Sequence, residues 1–387
     1  MMGLFAFFHV AVDYLISWVH PNAHWGWMSL NRKNGKFERE KIPLFKKLKL
    51  LFLFNPITEW IDTTHAMRLY MHNKSLDEGK QEATPASRRR IKGFVDYYGI
   101  NMNDFDPSNI NDYKTFEGFF VRAHKAGSRP IHEAEDASAA VVVADSRVVT
   151  YASVAETKKL WIKGHEFNIA NLAMDTEIGS QFADAAVASF RLSPQDYHRY
   201  HSPVTGKVKL FRSVPGDYYQ VDPVALQSKV DILTRNRREY VVIETAEFGE
   251  VLFVAIGATN VGSVVIHERF QRPDAEVKKG DELGYFQFGG SSIVVAFQKN
   301  RIEFDNDLLE LSKQRVQVSV EVGMSLGHAV GETGKDQASQ DQESKDQASQ
   351  DQASKDQAPK DQASKDQAPK DQASQEPTYA EVAHINA

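Results

Sequence analysis

The sequence contains no cysteine, which removes disulfides, thiolate nucleophiles and cysteine metal sites together and leaves the redox compartment open. It also lacks a strong charge bias. The net charge is -6 over 387 residues, with much of the acidity local, so charge alone indicates neither an anionic nor a cationic partner, and no nucleic-acid partner is expected. No lysine or arginine precedes Arg32, and Trp18, His20 and Pro21 make an unsuitable cleavage site. Neither a secretory signal peptide nor an arginine-rich transit peptide is therefore expected. The apolar stretch from Gly3 to Val19 is interrupted by His9 and Asp13 and falls short of the roughly 20 residues a comfortable membrane span needs. It suits an interfacial or partly inserted helix, or else a buried core helix.

What is present divides the chain into four parts. Residues 1–75 read as a membrane-associating segment. From Arg32 to Lys49 eight basic residues stand against two acidic ones, a local balance of +6, and Leu50 to Phe54 follow as an apolar run. Basic residues beside an apolar face suit an anionic membrane surface, although a solvated helix face has the same pattern. Residues 76–130 read as helical, with a basic middle at Arg88 to Arg90 and an aromatic stripe of Phe116, Phe119 and Phe120 at helical spacing, which alone is core packing. Residues 131–330 change to short β runs, among them 141–143, 148–151, 240–243, 251–256 and 264–266, punctuated by Gly206, Pro215-Gly216 and Lys279-Gly280-Asp281. Residues 331–387 hold eight five-residue units of the form Asp-Gln-Ala-Ser/Pro-Lys/Gln from Asp336 to Gln375. A period of five with almost nothing apolar forms neither a coiled coil nor a core, so a disordered tail is expected.

The fold class expected is α+β, with a predominantly antiparallel β core, N-terminal helices and that tail. The stretches 201–208 and 277–284 look like partners in a flattened barrel of the kind found in lipoyl and biotinyl carrier domains. A carrier would show a lysine at its hairpin tip, whereas here the tip region is Gly289-Gly290-Ser291-Ser292. Taken alone, that tetrad is a bulge or a tight hairpin turn between two strands.

Three polar sites lie among the β runs: Asp145 at a strand edge, His198 and His201 three apart, and Ser291. Two histidines so spaced can hold zinc, but only one carboxylate is obviously available. An acid, a histidine and a serine can instead activate the serine hydroxyl. The attack is then on an outside ester, as in a hydrolase, or on the neighbouring Gly290 carbonyl, as in a self-processing enzyme. The strand-like flanks lack the helix that follows a hydrolase's nucleophile elbow.

The blocks Phe119 to Arg122 with Lys125 to Ile131, Ala144 to Val148, Trp161 to Gly164, Leu192 to Pro203, Gly216 to Tyr219 and Lys279 to Ser292 resemble phosphatidylserine decarboxylases, most of all the eukaryotic, fungal type with Phe-Gly-Gly-Ser. The resemblance covers about residues 113–325. It implies a carboxy-lyase that makes phosphatidylethanolamine and cuts itself between Gly290 and Ser291. Ser291 becomes a covalent pyruvoyl group, and no metal is involved. It also implies that Asp145 orients His201, that His201 is the base for Ser291, and that His198 serves the decarboxylation step. This chain has Ser292 where family members have threonine, which keeps a hydroxyl. The partners implied are phosphatidylserine at an anionic membrane surface and the two cleavage fragments as a heterodimer, with a homodimer of these as a further expectation. The protein is expected to be membrane-associated and intracellular, in a compartment the sequence does not name. A decarboxylase of free aromatic amino acids and a barrel-sandwich binding module that never cleaves are the alternatives.

Overall fold

The computed structural model describes residues 28–40, 77–160, 168–217, 219, 232–258, 264–287 and 291–331. The chain divides into Met1–Asp336 and Gln337–Ala387, and the described residues all belong to the first unit. The expected interfacial helix at 3–19, the apolar run at 50–54 and the repeat tail lie outside the described residues.

The apolar β runs assemble into one ten-stranded sheet. Its spatial order is Glu276–Val277, Gly206–Val214, Arg238–Thr245, Gly249–Gly257, Ser291–Phe297, Ala186–Leu192, Ser146–Tyr151, Gln317–Val320, Met28–Asn31 and Lys36–Arg39. Every neighbouring pair is antiparallel except Met28–Asn31 with Gln317–Val320. The expected antiparallel α+β class is what the chain adopts. All seven residues of both Ser291–Phe297 and Ala186–Leu192 are buried. Their near-continuous apolar sequence therefore reflects a sheet centre covered on both faces rather than a half-exposed one.

Two three-stranded sheets lie beside it in sequence terms, one of Val264–Ile266, Glu282–Phe286 and Arg199–His201, the other of Ile302–Phe304, Ser325–Ala329 and Ala139–Val141. The first carries the histidine pair. Gly284 sits at its middle because the Tyr200 hydroxyl crosses there to donate to the Val265 carbonyl at 2.8 Å. A Cβ at position 284 would meet that carbonyl oxygen at 1.9 Å and the hydroxyl at 2.8 Å.

The two stretches expected to pair do run alongside one another, but they form no closed barrel among the described residues. Val277 is opposite Gly206 at the edge of the large sheet, and Glu282 is opposite His201 in the small one. The hairpin reading of Gly-Gly-Ser-Ser is also corrected. Glu282–Phe286 and Ser291–Phe297 do not pair with each other but belong to different sheets.

The boundary drawn at residue 75 does not separate the first strands from the core. Residues 28–40 form a hairpin on the edge of the large sheet. Arg32 bonds to Asp305 and Asp307 at 2.7 and 2.8 Å, and Lys33 to Glu321 at 3.1 Å. The first two cations of the +6 stretch are thus engaged by the protein itself rather than left for a membrane. In the helical region, Arg89–Tyr98 ends at Gly99, whose φ of 70° is the left-handed stop a glycine accommodates. Phe116–Phe120 starts at Thr115, whose hydroxyl accepts from the Gly118 amide. Phe116, Phe119 and Phe120 are buried with Ile91 and Tyr113 in a satellite core, as the stripe suggested. No helix among the described residues is long and apolar enough to cross a membrane.

Candidate active site

Ser291 is the first residue of a central strand, opposite Gly257 on one side and Leu192 on the other. Its side chain is fully buried, as is that of Ser292, and neither hydroxyl has a hydrogen-bond partner among the described residues. Each unsatisfied buried hydroxyl costs about 1–3 kcal/mol. Two in succession at the head of an otherwise apolar strand call for a chemical reason rather than a packing one. Gly289 and Gly290 lie outside the described residues.

The histidine pair is set by the Arg199–His201 strand and the residues leading into it. His198 is fully buried against the Phe120 ring, with centroids 3.9 Å apart. The aromatic stripe therefore packs a site residue as well as a core. The His198 carbonyl accepts from the Phe286 amide at 2.9 Å, so its backbone is tied to the strand that runs toward Gly290. His198 Nδ1 lies 2.9 Å from the Asp196 carbonyl and His201 Nδ1 2.8 Å from the Gly280 carbonyl. A carbonyl can only accept, so both neutral rings carry the proton on Nδ1 and keep the lone pair on Nε2. At His201 that nitrogen receives the Tyr197 hydroxyl at 2.9 Å. Burial pulls the His201 pKa below the ordinary value, against the Gly280 bond and the charges of Glu282 and Asp145. The two histidines take no part in a metal-ligating group among the described residues.

Asp145, expected to orient His201, makes no hydrogen bond to it. Its Oδ2 meets His124 Nε2 at 3.1 Å and Arg129 Nη2 at 2.8 Å, and its Oδ1 receives Arg129 Nε and the Val322 amide at 3.2 and 2.8 Å. Those bonds occupy the acceptor sites a carboxylate offers, so none remains for His201. Burial raises the Asp145 pKa, but the bonds from His124 and Arg129 and the Arg129 charge more than reverse this and hold it well below the usual carboxylate range. The link to His201 is indirect. The His124 ring lies 4.0 Å from the Tyr197 ring, and Tyr197 supplies the hydroxyl on His201.

His124, Arg129 and Tyr197 have no assignment in the sequence reading, although each lies in or beside a block that carries the resemblance. The signal was there in a weak form, as polar residues at the ends of short strands and turns. Asp196, in the block that holds the histidine pair, is a further buried acid of the site. Its carboxylate takes Arg147 at 2.5 Å and the Ser193 amide at 2.7 Å, next to Leu192, the partner of Ser291. Burial raises its pKa to about 6, against the Arg147 charge. Arg122 lies beneath, with its guanidinium 4.3 Å from the Phe105 ring and donating to the Gln195 and Asp196 carbonyls; burial lowers its pKa to about 10. Glu40, from the hairpin at the far edge of the sheet, receives Arg191 at 2.6 Å and the Ser193 hydroxyl. Arg191 stands opposite Ser292 in register, and Arg147 opposite Arg191, so these groups place a buried charge network on the Ser292 face of the sheet.

The family model described as phosphatidylserine decarboxylase matches residues 116–328. Among curated relatives, the chain is 43% identical over 261 residues to phosphatidylserine decarboxylase proenzyme 2 of Oryza sativa, covering 66% of this chain and 41% of that one. It is 36% identical over 301 residues to proenzyme 2 of Komagataella phaffii, covering 77% of this chain and 29% of the relative. It is 32% identical over 301 residues to the phosphatidylserine decarboxylase proenzyme of Fusobacterium nucleatum, covering 77% of this chain and 96% of the relative. The chain thus spans less than half the length of the plant and yeast relatives and nearly all of the bacterial one.

Proposed function

Because this chain belongs to the phosphatidylserine decarboxylase family, we propose that it is a carboxy-lyase that cuts itself between Gly290 and Ser291 and converts phosphatidylserine to phosphatidylethanolamine and carbon dioxide. The observation that carries this reading is the Ser291 hydroxyl, buried and without a partner among the described residues at the start of a central strand. The word proenzyme in the relatives' names agrees with it.

In the cut, the Ser291 oxygen adds to the Gly290 carbonyl carbon, its proton passes to a base, and the amide nitrogen takes that proton as it leaves the carbon, giving an ester and a free amine at 291. Removal of the Cα proton then expels Gly290 as a carboxylate. The dehydroalanine left at 291 takes up water and loses ammonia to end as pyruvoyl. We assign the base to His201, kept neutral by burial, whose Nε2 takes the proton once it exchanges its bond from Tyr197. Asp145 acts on that imidazole through its field and through the His124 and Tyr197 rings. His198, with its lone pair on Nε2, is assigned to proton transfer in the decarboxylation step.

A pyruvoyl group supplies a ketone conjugated to an amide carbonyl, the electron sink that loss of carbon dioxide from an amino acid headgroup requires. The 291 position suits it, since the strand leaves the side chain dry and uncommitted. The two fragments, 1–290 and 291–387, would stay together because Ser291–Phe297 is bonded on both sides to strands of the larger one. For a lipid substrate the protein must meet an interface. Arg88, Arg89 and Lys92 on the wall of a cavity of about 530 Å³ suit an anionic headgroup surface.

Intact mass of the purified protein tests the reading, together with trapping of carbon dioxide from phosphatidylserine vesicles and, separately, from free aromatic amino acids. Two fragments, the smaller without an N-terminal amine, and carbon dioxide from the vesicles are expected, with Ser291→Ala uncut. A single chain of 43.6 kDa that still turns over lipid overturns the cleavage. Carbon dioxide from amino acids alone replaces the substrate.

A further inference from the structure

His132, Glu133 and His328 lie together on the surface, outside the polar groups around Ser291, and each offers one ligand atom within 4.8 Å of the others. We propose that these three side chains bind a zinc-class divalent cation. His328 Nε2 stands 3.0 Å from Glu133 Oε2, and His132 Nε2 stands 3.6 Å from Glu133 Oε1. Donors around a tetrahedral zinc with bonds of about 2.0–2.1 Å are about 3.3 Å apart. The two histidine nitrogens approach different oxygens of Glu133, and rotation of the three side chains, each about half exposed, brings both nitrogens and one oxygen to that spacing from within 4.8 Å.

The backbones that carry these side chains are fixed. The His132 amide donates to the Gly323 carbonyl at 2.8 Å. Glu133 has a φ of 43°, an uncommon conformation for a side-chain-bearing residue. It is held there by its carbonyl, which receives the Asp136 amide at 2.9 Å and Lys279 Nζ at 2.6 Å. Lys279 also donates to the Asp136 and Ala139 carbonyls, which pins the whole turn. His328 is in register opposite Ala139 and Glu303 within its sheet. The donors thus come from two fixed segments far apart in sequence, and binding needs only rotamer changes.

A single carboxylate cannot hold both imidazoles as ion pairs without bringing two positive rings together, whereas one dication accepts both neutral rings and the carboxylate at once. Two imidazoles and one carboxylate suit zinc, cobalt and nickel rather than calcium or magnesium. If the chain is cut after Gly290, as proposed above, His132 and Glu133 belong to the larger fragment and His328 to the smaller. The cation then ties the two fragments together, a consequence that rests on that reading while the site itself does not.

The test uses untagged full-length protein, stripped with a chelator and titrated with zinc chloride by calorimetry and with cobalt chloride by visible absorption. Uptake of one equivalent is expected, with a tetrahedral cobalt spectrum and a raised melting temperature. His328→Ala and His132→Ala should each weaken uptake by on the order of tenfold or more. Their metal-free melting should be unchanged, which separates loss of a ligand from loss of the fold. Absence of uptake by the wild type, or uptake by both variants as tight as that of the wild type, overturns the site. The same titration on Ser291→Ala should match the wild type. Zinc should also raise the urea concentration at which the wild-type fragments part. Zinc uptake by a wild type that proves uncut leaves the site standing and removes only the cleavage, whereas fragments that part at the same urea concentration with and without zinc overturn the tie.

Discussion

His124 Nε2 lies 3.1 Å from Oδ2 of Asp145, so the acid of this site is held by a histidine other than the two in the paired motif. The His124 ring is stacked on Phe105, at 4.7 Å, and lies tilted against Tyr197, at 4.0 Å. Any change at 124 therefore reaches His201 through Tyr197.

His124→Phe keeps the stack and removes the bond to the carboxylate. A hydrogen bond to a charged group contributes about 1.5–3 kcal/mol, so self-cleavage should slow by roughly ten- to a hundredfold. The His124 charge also lowers the His201 pKa, so the acid limb of the cleavage rate should move to higher pH. Cell-free synthesis in buffered reactions, read on denaturing gels, measures both. Wild-type rates and an unmoved profile in the variant would show that His124 only fills space.

The pH dependence of cleavage follows from the direction of the His201 shift. Burial lowers its pKa below 6.5, so the ring is neutral and able to accept a proton at pH 7, and cleavage should fail only as pH drops below that value. Tyr197, Gly280, Glu282, Asp145 and His124 face this ring or act on it. Asp196, with a pKa raised to about 6, titrates in an overlapping range. Asp196→Asn separates the two, because an acid midpoint that persists in this variant belongs to the histidine. A rate that rises as pH falls would contradict the assignment of His201 as base.

Glu40 links the first hairpin to the buried charge network around Arg191, opposite Ser292. Burial raises its pKa, but the charges of Arg191 and Arg147 and the bonds from Arg191 and Ser193 bring it down to about 2 from 4.5. A carboxyl depressed in the folded state contributes stability that is present above its unfolded pKa and is lost as pH falls through the folded one. The difference corresponds to about 3 kcal/mol, present above about pH 4.5 and gone near pH 2. Glu40→Gln should lower the thermal midpoint at neutral pH and flatten the acid dependence in that window. Calorimetric melts from pH 2 to 7 on the Ser291→Ala background give the comparison within one uncut chain.

Gly284→Ala places a Cβ 1.9 Å from the Val265 carbonyl oxygen, and overpacking of this kind costs on the order of 1–3 kcal/mol or more. The strain falls on the small sheet that holds Arg199–His201. The variant should therefore lose self-cleavage together with stability, and Tyr200→Phe should recover neither, because the Val265 carbonyl oxygen stays in the way. A melting temperature equal to that of wild type would mean that the sheet gives way without cost.

Much of the fold was legible because the central strands are long apolar runs between turn residues. The 240–243, 251–256 and 264–266 stretches all fall inside strands. The edge was less so. Met28–Asn31 carries no pattern that marks a strand, and Lys36–Arg39 lies within the basic segment 32–49, whose Arg32 and Lys33 are paired with acids nearly three hundred residues away. Ala186–Leu192, apolar but for Ser189 and Arg191, was not singled out as a strand at all. Its Arg191 is inside because Glu40 and Gln317 meet it there, at 2.6 and 3.1 Å, and no local pattern announces such a partner.

The residue types of the reaction centre were set by the chain alone: two histidines three apart, a serine after two glycines, an acid at a strand edge, and no thiol to compete with them. Which acid meets which base was decided only on folding. Asp145 has a fixed number of acceptor sites, and the tertiary structure fills them with His124, Arg129 and the Val322 amide, leaving His201 to Tyr197 and Gly280. Sequence carries the capacity to donate and accept. Partnership depends on distances of about 3 Å between segments up to 177 residues apart, which only packing of the sheets can set.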